Sequence, residues 1–245
     1  MRISAVLPIH NEASVLDAIF ECLDRQSRKA DEVIVVLDAC SDRSEQIARS
    51  HGAKIVRVDL HNMALAVEAG VAVAVEETVI VFDGNTLVPN NYVELLSETQ
   101  QRTRADVVEW HGGLMLFPRA TLDRFGRLSP LYLWTLDFFL RVRERGGTVV
   151  CLNGPHVRLR RSPLKRNVHY GLDYAALSER HHLAPFFRIG TKSGIIPDLV
   201  ATVGTLVGHA RRRRLGRALL DLPEAIRATT QSFATGERSD PPSVG

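Results

Sequence analysis

An α/β fold with a mostly parallel sheet flanked by helices is predicted by three features of the chain. Apolar runs too short for helices recur at residues 3–7, 32–37, 54–58 and 79–82, and segments with helical apolar spacing lie between them. Two of the runs stop abruptly at acids, Asp38 and Asp83. Strands and helices alternating at this tempo make βαβ units, and such crossovers give a parallel, Rossmann-like sheet. The 245 residues suffice for one main domain with a sizeable core.

The first strand, 3–7, is ended by Pro8, and residues 13–25 follow with Val15, Leu16, Ile19, Cys22 and Leu23 on one helical face. Asn11 or Ser14 can cap that helix, with Glu12 near its positive end. The second strand leads into a helix over 44–51, for which Gly52 supplies a C-terminal cap. The strand at 54–58 and a helix over 64–75 precede the fourth strand. A helix over 90–102 follows Pro89, and strands are expected at 105–110 and 114–117. A short helix then runs to Phe125. Residues 131–145 read as a helix with Asp137 in its first turns and Arg141, Arg143 and Arg145 towards its negative end. A strand over 148–152 and a basic loop over 156–169 lead to a helical C-terminal third, and residues 237–245, rich in Ser, Pro and Gly, read as a disordered tail.

Composition narrows the function. The formal charge of +3 is too small to argue for nucleic acid, which is not expected as a partner. The basic residues cluster at 141–166 and 211–217, which suits a phosphate-bearing ligand or an anionic surface. Cys22, Cys40 and Cys151 lack metal-ligand spacing and read as reduced thiols of a cytoplasmic protein. The most apolar stretch, 194–210, is broken by Pro197, Asp198 and His209, so a spanning helix is not expected. No Gly-x-Gly-x-x-Gly follows the first strand and no P-loop occurs, which disfavours a redox dinucleotide or a Walker-type ATPase.

The stretch Val79-Ile80-Val81-Phe82-Asp83-Gly84-Asn85 delivers two oxygen-bearing side chains to the C-terminal end of a buried strand. Ligands of open α/β sheets bind there, and oxygen suits Mg²⁺ or a ribose hydroxyl. The alternative reading is a strand followed by an ordinary Asp-Gly turn.

Three stretches in order resemble the family-2 glycosyltransferases of the GT-A fold. Val6-Leu7-Pro8-Ile9-His10-Asn11-Glu12 resembles that family's opening strand and Pro-x-Tyr-Asn-Glu turn. Residues 32–44, with Asp38-Ala39-Cys40-Ser41-Asp42, resemble its second strand and Asp-Asp-Gly-Ser-Thr-Asp turn, and residues 79–89 resemble its Asp-x-Asp strand. The resemblance implies transfer of a sugar from a UDP- or GDP-sugar to an acceptor hydroxyl, with inversion. It implies that Pro8, His10, Glu12, Asp38 and Asp83 line the nucleotide pocket, and that Asp83, Asn85 and His156 hold Mg²⁺ or Mn²⁺. Asn85 replaces the second aspartate and brings no charge, so weak metal binding is expected. Arg158, Arg160 and Arg161 can clamp the diphosphate in compensation.

Residues 134–141 are similar to the family's Glu-Asp-x-Asp-Leu-x-x-Arg stretch. With Arg141 as anchor, Thr135 takes the place of the general base and Asp137 that of the second aspartate. A threonine hydroxyl is no base near neutral pH, so Asp137 is the candidate base, unless it only caps the helix. The alternative function is a degenerate, non-catalytic member that binds a nucleotide or a protein partner.

The expected organisation is a transferase domain over 1–170, with a nucleotide-binding half at 1–96 and an acceptor half at 97–170, then a helical extension over 171–236. Within 195–233 an apolar face stands beside an arginine cluster. It suits peripheral contact with the inner face of a membrane, packing on the main domain, or a second subunit in a homodimer.

Overall fold

The first strand, β1 (Ile3–Ile9), is fully buried and pairs in parallel with β2 (Glu32–Asp38) on one side and β4 (Thr78–Val81) on the other. β3 (Lys54–Val58) extends the sheet beyond β2. Beyond β4 lies β7 (Leu114–Pro118), antiparallel, then β6 (Val107–His111) and β8 (Val149–Cys151), giving the order β3-β2-β1-β4-β7-β6-β8. A separate antiparallel pair, β5 (Thr86–Leu87) with β9 (Val157–Arg158), carries residues of the predicted basic loop back to the end of β4. The computed structural model describes residues 1–111, 113–152, 154–160, 165–181, 203–208 and 210–211.

Pro8 lies inside β1, opposite Val36, and does not end the strand as expected. The Val6 carbonyl accepts from Phe82 N (3.0 Å), so alternate residues of β1 turn their polar groups towards β4. β4 has ended before Pro8 is reached, and its missing N–H breaks no ladder bond.

The alternation of β1 and β2 feeds two apolar layers. Ile3, Leu7, Val35 and Leu37 belong to one layer with apolar residues of α1 (Leu16–Asp24) and α4 (Tyr92–Thr103), whereas Val6, Ile34 and Val36 belong to a second with those of α3 (Met63–Val73) and α6 (Trp134–Glu144). The third helix rides close to the sheet because a Cβ on Gly70 would lie 2.4 Å from Val6. α2 (Ser44–Ser50) is followed by Gly52 in the left-handed region, as its cap role requires. α5 (Ala120–Phe125) precedes the loop to α6. α1 starts later than expected: its N-cap residue is Val15, without a capping side chain, because Asn11 is used elsewhere.

The chain divides into two compact units, Met1–Arg161 and Ser162–Gly245. α7 (Lys165–Arg180) runs through the boundary expected at residue 170, so the break falls earlier. In the second unit Gly204 and Gly208 approach Val168 and Ala175. Most of the predicted helical stretch over 195–233 and the tail lie outside the described residues. Among the described residues no helix is long and apolar enough to cross a membrane, and all three cysteines are free thiols.

Candidate active site

The strand order reverses between β1 and β4: the chain runs outward through β2 and β3, then returns to the other side of β1. Such a switch point opens a crevice at the carboxyl ends of the strands, and Pro8, His10, Glu12, Asp38, Asp83 and Asn85 lie at or just beyond the ends of β1, β2 and β4.

At the end of β1, His10 Nδ1 donates to the Asp38 carbonyl (2.7 Å), and its ring meets His61 edge-on at 5.9 Å. Asn11 adopts φ 54°, and its side-chain oxygen accepts from Ser41 N (2.8 Å) and Asp42 N (3.3 Å), locking the turns after β1 and β2 together. The Cys40 thiol lies in the same joint, donating to the Ile9 carbonyl (3.3 Å); burial pushes its pKa up. Hydrogen bonds from Ser44 and Ala13 outweigh burial at Asp42 and hold its carboxyl below the usual range.

Asp38 is buried and accepts three backbone N–H groups, from Leu60 (2.6 Å), His61 (2.9 Å) and Asn62 (2.9 Å). Its carboxylate organises the loop before α3. The expected role of receiving a base N–H has at most the one remaining lone-pair position to work with.

Asp83 stands two residues beyond β4, its carboxylate accepting from Asn85 N (3.1 Å) and the Thr86 hydroxyl (2.9 Å). Gly84 is dictated by space, since a Cβ there would lie 2.2 Å from the Ile9 side chain. Asn85 departs from its expected role. Its Oδ1 accepts from Arg160 N (2.6 Å) and its Nδ2 donates to the Arg160 carbonyl (3.1 Å), so both ends of the amide are committed to the loop at β9 rather than to a metal.

Glu12 likewise engages protein. Its carboxylate pairs with Arg160 Nη1 (2.6 Å), which also donates to the Asn11 carbonyl (2.7 Å). Burial raises the Glu12 pKa, Arg160 opposes the rise, and the nearby charges of Asp83 and Asp42 add to it. The structure therefore joins Glu12, Asn85 and Arg160 in one cluster within the field of Asp83. Arg158 lies opposite Thr86 in the β5–β9 pair, His156 Nδ1 faces the Gly154 carbonyl at 3.4 Å, and Arg161 lies outside the described residues.

Asp137 is not placed to be a base. It is fully buried, accepts from Ser129 Oγ (2.6 Å), and pairs with Arg141 Nε (2.9 Å). Arg141 donates in turn to the carbonyls of Phe125, Gly126 and Arg127, so the pair fastens the 125–129 loop to α6. The helix-capping alternative is closer, but the role is a buried clamp. Thr135, in the first turn of α6, is partly exposed and its methyl lies beside Gly113 in the β6–β7 turn. Glu68, on α3, is buried and accepts from Leu128 N (2.5 Å) and Arg127 Nε (2.9 Å).

A cavity of about 240 Å³ beside the β2–α2 turn is lined by Ala39, Ser41, Asp42, Glu45 and Arg57 among others. None of Asp83, Asn85 or Arg160 borders it, so it is a neighbour of the crevice and not its centre.

Among the described residues no group of three or more His, Cys, Asp or Glu is placed to hold a metal. Asp83 keeps acceptor capacity beyond its two bonds. That fits a cation of the Mg²⁺ type, which takes one or two carboxylates and completes its shell with substrate phosphates and water.

A parallel sheet with acids at its switch point and an arginine-bearing loop folded against them defines a nucleotide-binding transferase of the GT-A type. The description "glycosyl transferase family 2" matches residues 4–167, and the chain belongs to that family, the nucleotide-sugar glycosyltransferases. Solved structures of glucosyl-3-phosphoglycerate synthase from Mycobacterium tuberculosis share the fold. The complex with Mn²⁺, UDP and glucosyl-3-phosphoglycerate superposes with TM-score 0.64 at 18% identity, covering 74% of this chain and 80% of that one. The complex with Mg²⁺ and UDP gives 0.65 at 18% identity, with the same coverage. The complex with Mn²⁺, UDP-glucose and phosphoglyceric acid gives the same values. No curated protein sequence matches the chain.

Proposed function

We propose that this glycosyltransferase uses a UDP-sugar and transfers the sugar to an acceptor hydroxyl with inversion. The observation that carries the reading is the convergence of Asp83, Glu12 and Arg160 at the switch point between β1 and β4. The solved relatives that share the fold hold UDP or UDP-glucose, which favours uridine over guanosine.

In this reading Pro8, His10 and Asp38 shape the floor on which the nucleoside rests, and Asp83 faces the diphosphate. Asp83 would hold a divalent cation, Mg²⁺ or Mn²⁺, which when bound would supply neutralising charge for the departing diphosphate. Arg158 and Arg160 add fixed positive charge at the same place. Thr135 orients the acceptor hydroxyl by hydrogen bonding; its own hydroxyl and the buried Asp137 do not take the proton, which passes to the departing diphosphate or to water as the new C–O bond forms. The domain that does this ends near residue 161.

We also propose peripheral contact of the second unit with an anionic membrane face. Val203 and Val207 are exposed one helical turn apart, on a helix whose Gly204 and Gly208 face α7, and the exposed Arg211 follows. Sedimentation with phosphatidylserine vesicles is expected to capture the protein, and Val203→Asp with Val207→Asp to release it.

The donor site is tested by calorimetric titration of UDP and GDP with Mn²⁺ into the wild type and Asp83→Asn. The variant is expected to lose UDP affinity by about tenfold or more, the equivalent of about 1.4 kcal/mol, with its unfolding temperature kept. Unchanged affinity overturns the assignment of Asp83.

A further inference from the structure

Asn85 stands where a charged ligand would serve a metal best, and the structure gives it a different task. Its amide meets the backbone of Arg160 as donor and acceptor at once, and its own carbonyl accepts from Leu159 N (2.9 Å). Aspartate could not replace it, because a carboxylate has no donor and would set oxygen against the Arg160 carbonyl. This backbone clasp fixes where the arginine starts. Nη1 then fixes where it ends, through the Asn11 carbonyl and Glu12.

What remains of the guanidinium is its Nε–Nη2 edge, which meets no acceptor among the described residues. That edge carries two parallel N–H donors, the geometry that matches two oxygens of one phosphate. The side chain is 47% exposed, so a ligand can reach it. Burial of Glu12 beside Asp83 and Asp42 also shows that acids crowd this corner, and the arginine offsets them before an anion arrives.

We propose that Asn85 and Glu12 are positioning residues for Arg160, which offers its Nε–Nη2 edge to a phosphate of the donor's diphosphate. The proposal rests on the transferase reading above and leaves Asp83 to any bound cation. It accounts for an amide at position 85: the clasp needs a donor and an acceptor together.

The test is calorimetry with UDP, and with uridine as control, in buffers containing either EDTA or Mn²⁺. Arg160→Ala is expected to weaken UDP about 10–100-fold in both buffers, the range of a charge-assisted bidentate contact, and to leave uridine unchanged. Asn85→Ala and Asn85→Asp are expected to weaken UDP by roughly 3–10-fold in both buffers, through a mispositioned arginine. Glu12→Gln retains an oxygen for Nη1 and stays within about threefold of wild type, whereas Glu12→Ala follows the Asn85 variants. Arg160→Lys, which keeps the charge without the fork, falls between wild type and Arg160→Ala.

If Asn85 were a metal ligand, Asn85→Ala would weaken UDP only with Mn²⁺ present and Asn85→Asp would keep or strengthen it there, and that result overturns the proposal. Wild-type binding of UDP seen with Mn²⁺ but lost in EDTA also overturns the arginine clamp while the transferase reading stands. Failure to bind UDP or GDP in either buffer brings down both.

Discussion

Replacing Asp137 by asparagine separates a buried clamp from a general base. The carboxylate is fully buried and holds Ser129 Oγ and Arg141 Nε, while the Arg141 side chain is only 14% exposed. Asparagine keeps one oxygen but removes the countercharge, leaving a buried guanidinium. Removing one partner of a buried pair costs about 3–5 kcal/mol. Arg141 keeps three carbonyl acceptors, which places the expected loss at the lower end, about 3 kcal/mol. For a chain of this size each kcal/mol moves the unfolding temperature by about 2–4 °C, so a fall of about 6–12 °C is expected. The assay pairs thermal unfolding with donor turnover measured well below the transition. Loss of a base would lower turnover by about 10²–10⁴-fold, whereas a clamp leaves the folded fraction within about tenfold of wild type. An unchanged unfolding temperature with turnover down about 100-fold would refute the structural argument. Replacing both residues, Asp137→Leu with Arg141→Met, should cost less than the single change, because no charge is then stranded.

Two further outcomes follow from the switch point. Gly84→Ala drives a Cβ to 2.2 Å from Ile9 Cδ1, and Ile9 is itself buried, so denaturant unfolding should show a loss of about 1–3 kcal/mol that Ile9→Val partly restores. Glu12 carries a pKa raised above 4.5 by burial, so its folded form binds the proton more tightly than the unfolded chain does. Its charge therefore costs stability above the raised pKa, and that cost disappears as pH falls through the window down to 4.5. Protonation also loosens its hold on Arg160, so UDP affinity in EDTA should fall through the same window in the wild type, by no more than the roughly threefold allowed for Glu12→Gln. A pH series of titrations should find no such step in Glu12→Gln, and an identical step in both proteins would remove Glu12 from the account.

How far the sequence could be read depended on the range of each interaction. β1 to β4 were legible because burial and alternation are local, and Asp38 and Asp83 were found because a polar residue that halts an apolar run stands out. The β5–β9 pair escaped because two residues per strand carry no period. The partners of Glu12 and Asn85 escaped for another reason: Arg160 is 148 residues from one and 75 from the other, and only the folded chain brings them together. Asp137 and Arg141 were placed on one helix, but their pairing was not read. An i, i+4 ion pair looks the same in sequence whether it faces water or the interior, and here the loop at 125–129 closes over it.

The floor of the crevice and its arginine wall are built with different rigidity. Asn11, Ala39 and His61 all take left-handed φ values, 54°, 50° and 47°, just beyond β1, β2 and β3. Ala39 bears the strain with no polar side chain to compensate, at a cost of roughly 1–2 kcal/mol. It stays there because neighbouring bonds over-determine it: Ala39 N donates to the Val58 carbonyl (2.8 Å), and the preceding carboxylate, Asp38, gathers three amides from the loop that contains His61. Backbone strain of this kind persists where the surrounding structure over-determines it, as it does here. Arg160, by contrast, is tied to that floor through Asn85 and Glu12 at an exposed edge, by bonds that a diphosphate can supplement. On the proposed reading, the nucleoside would meet a surface that is already set, and the diphosphate a wall whose position depends on Asn85 and Glu12.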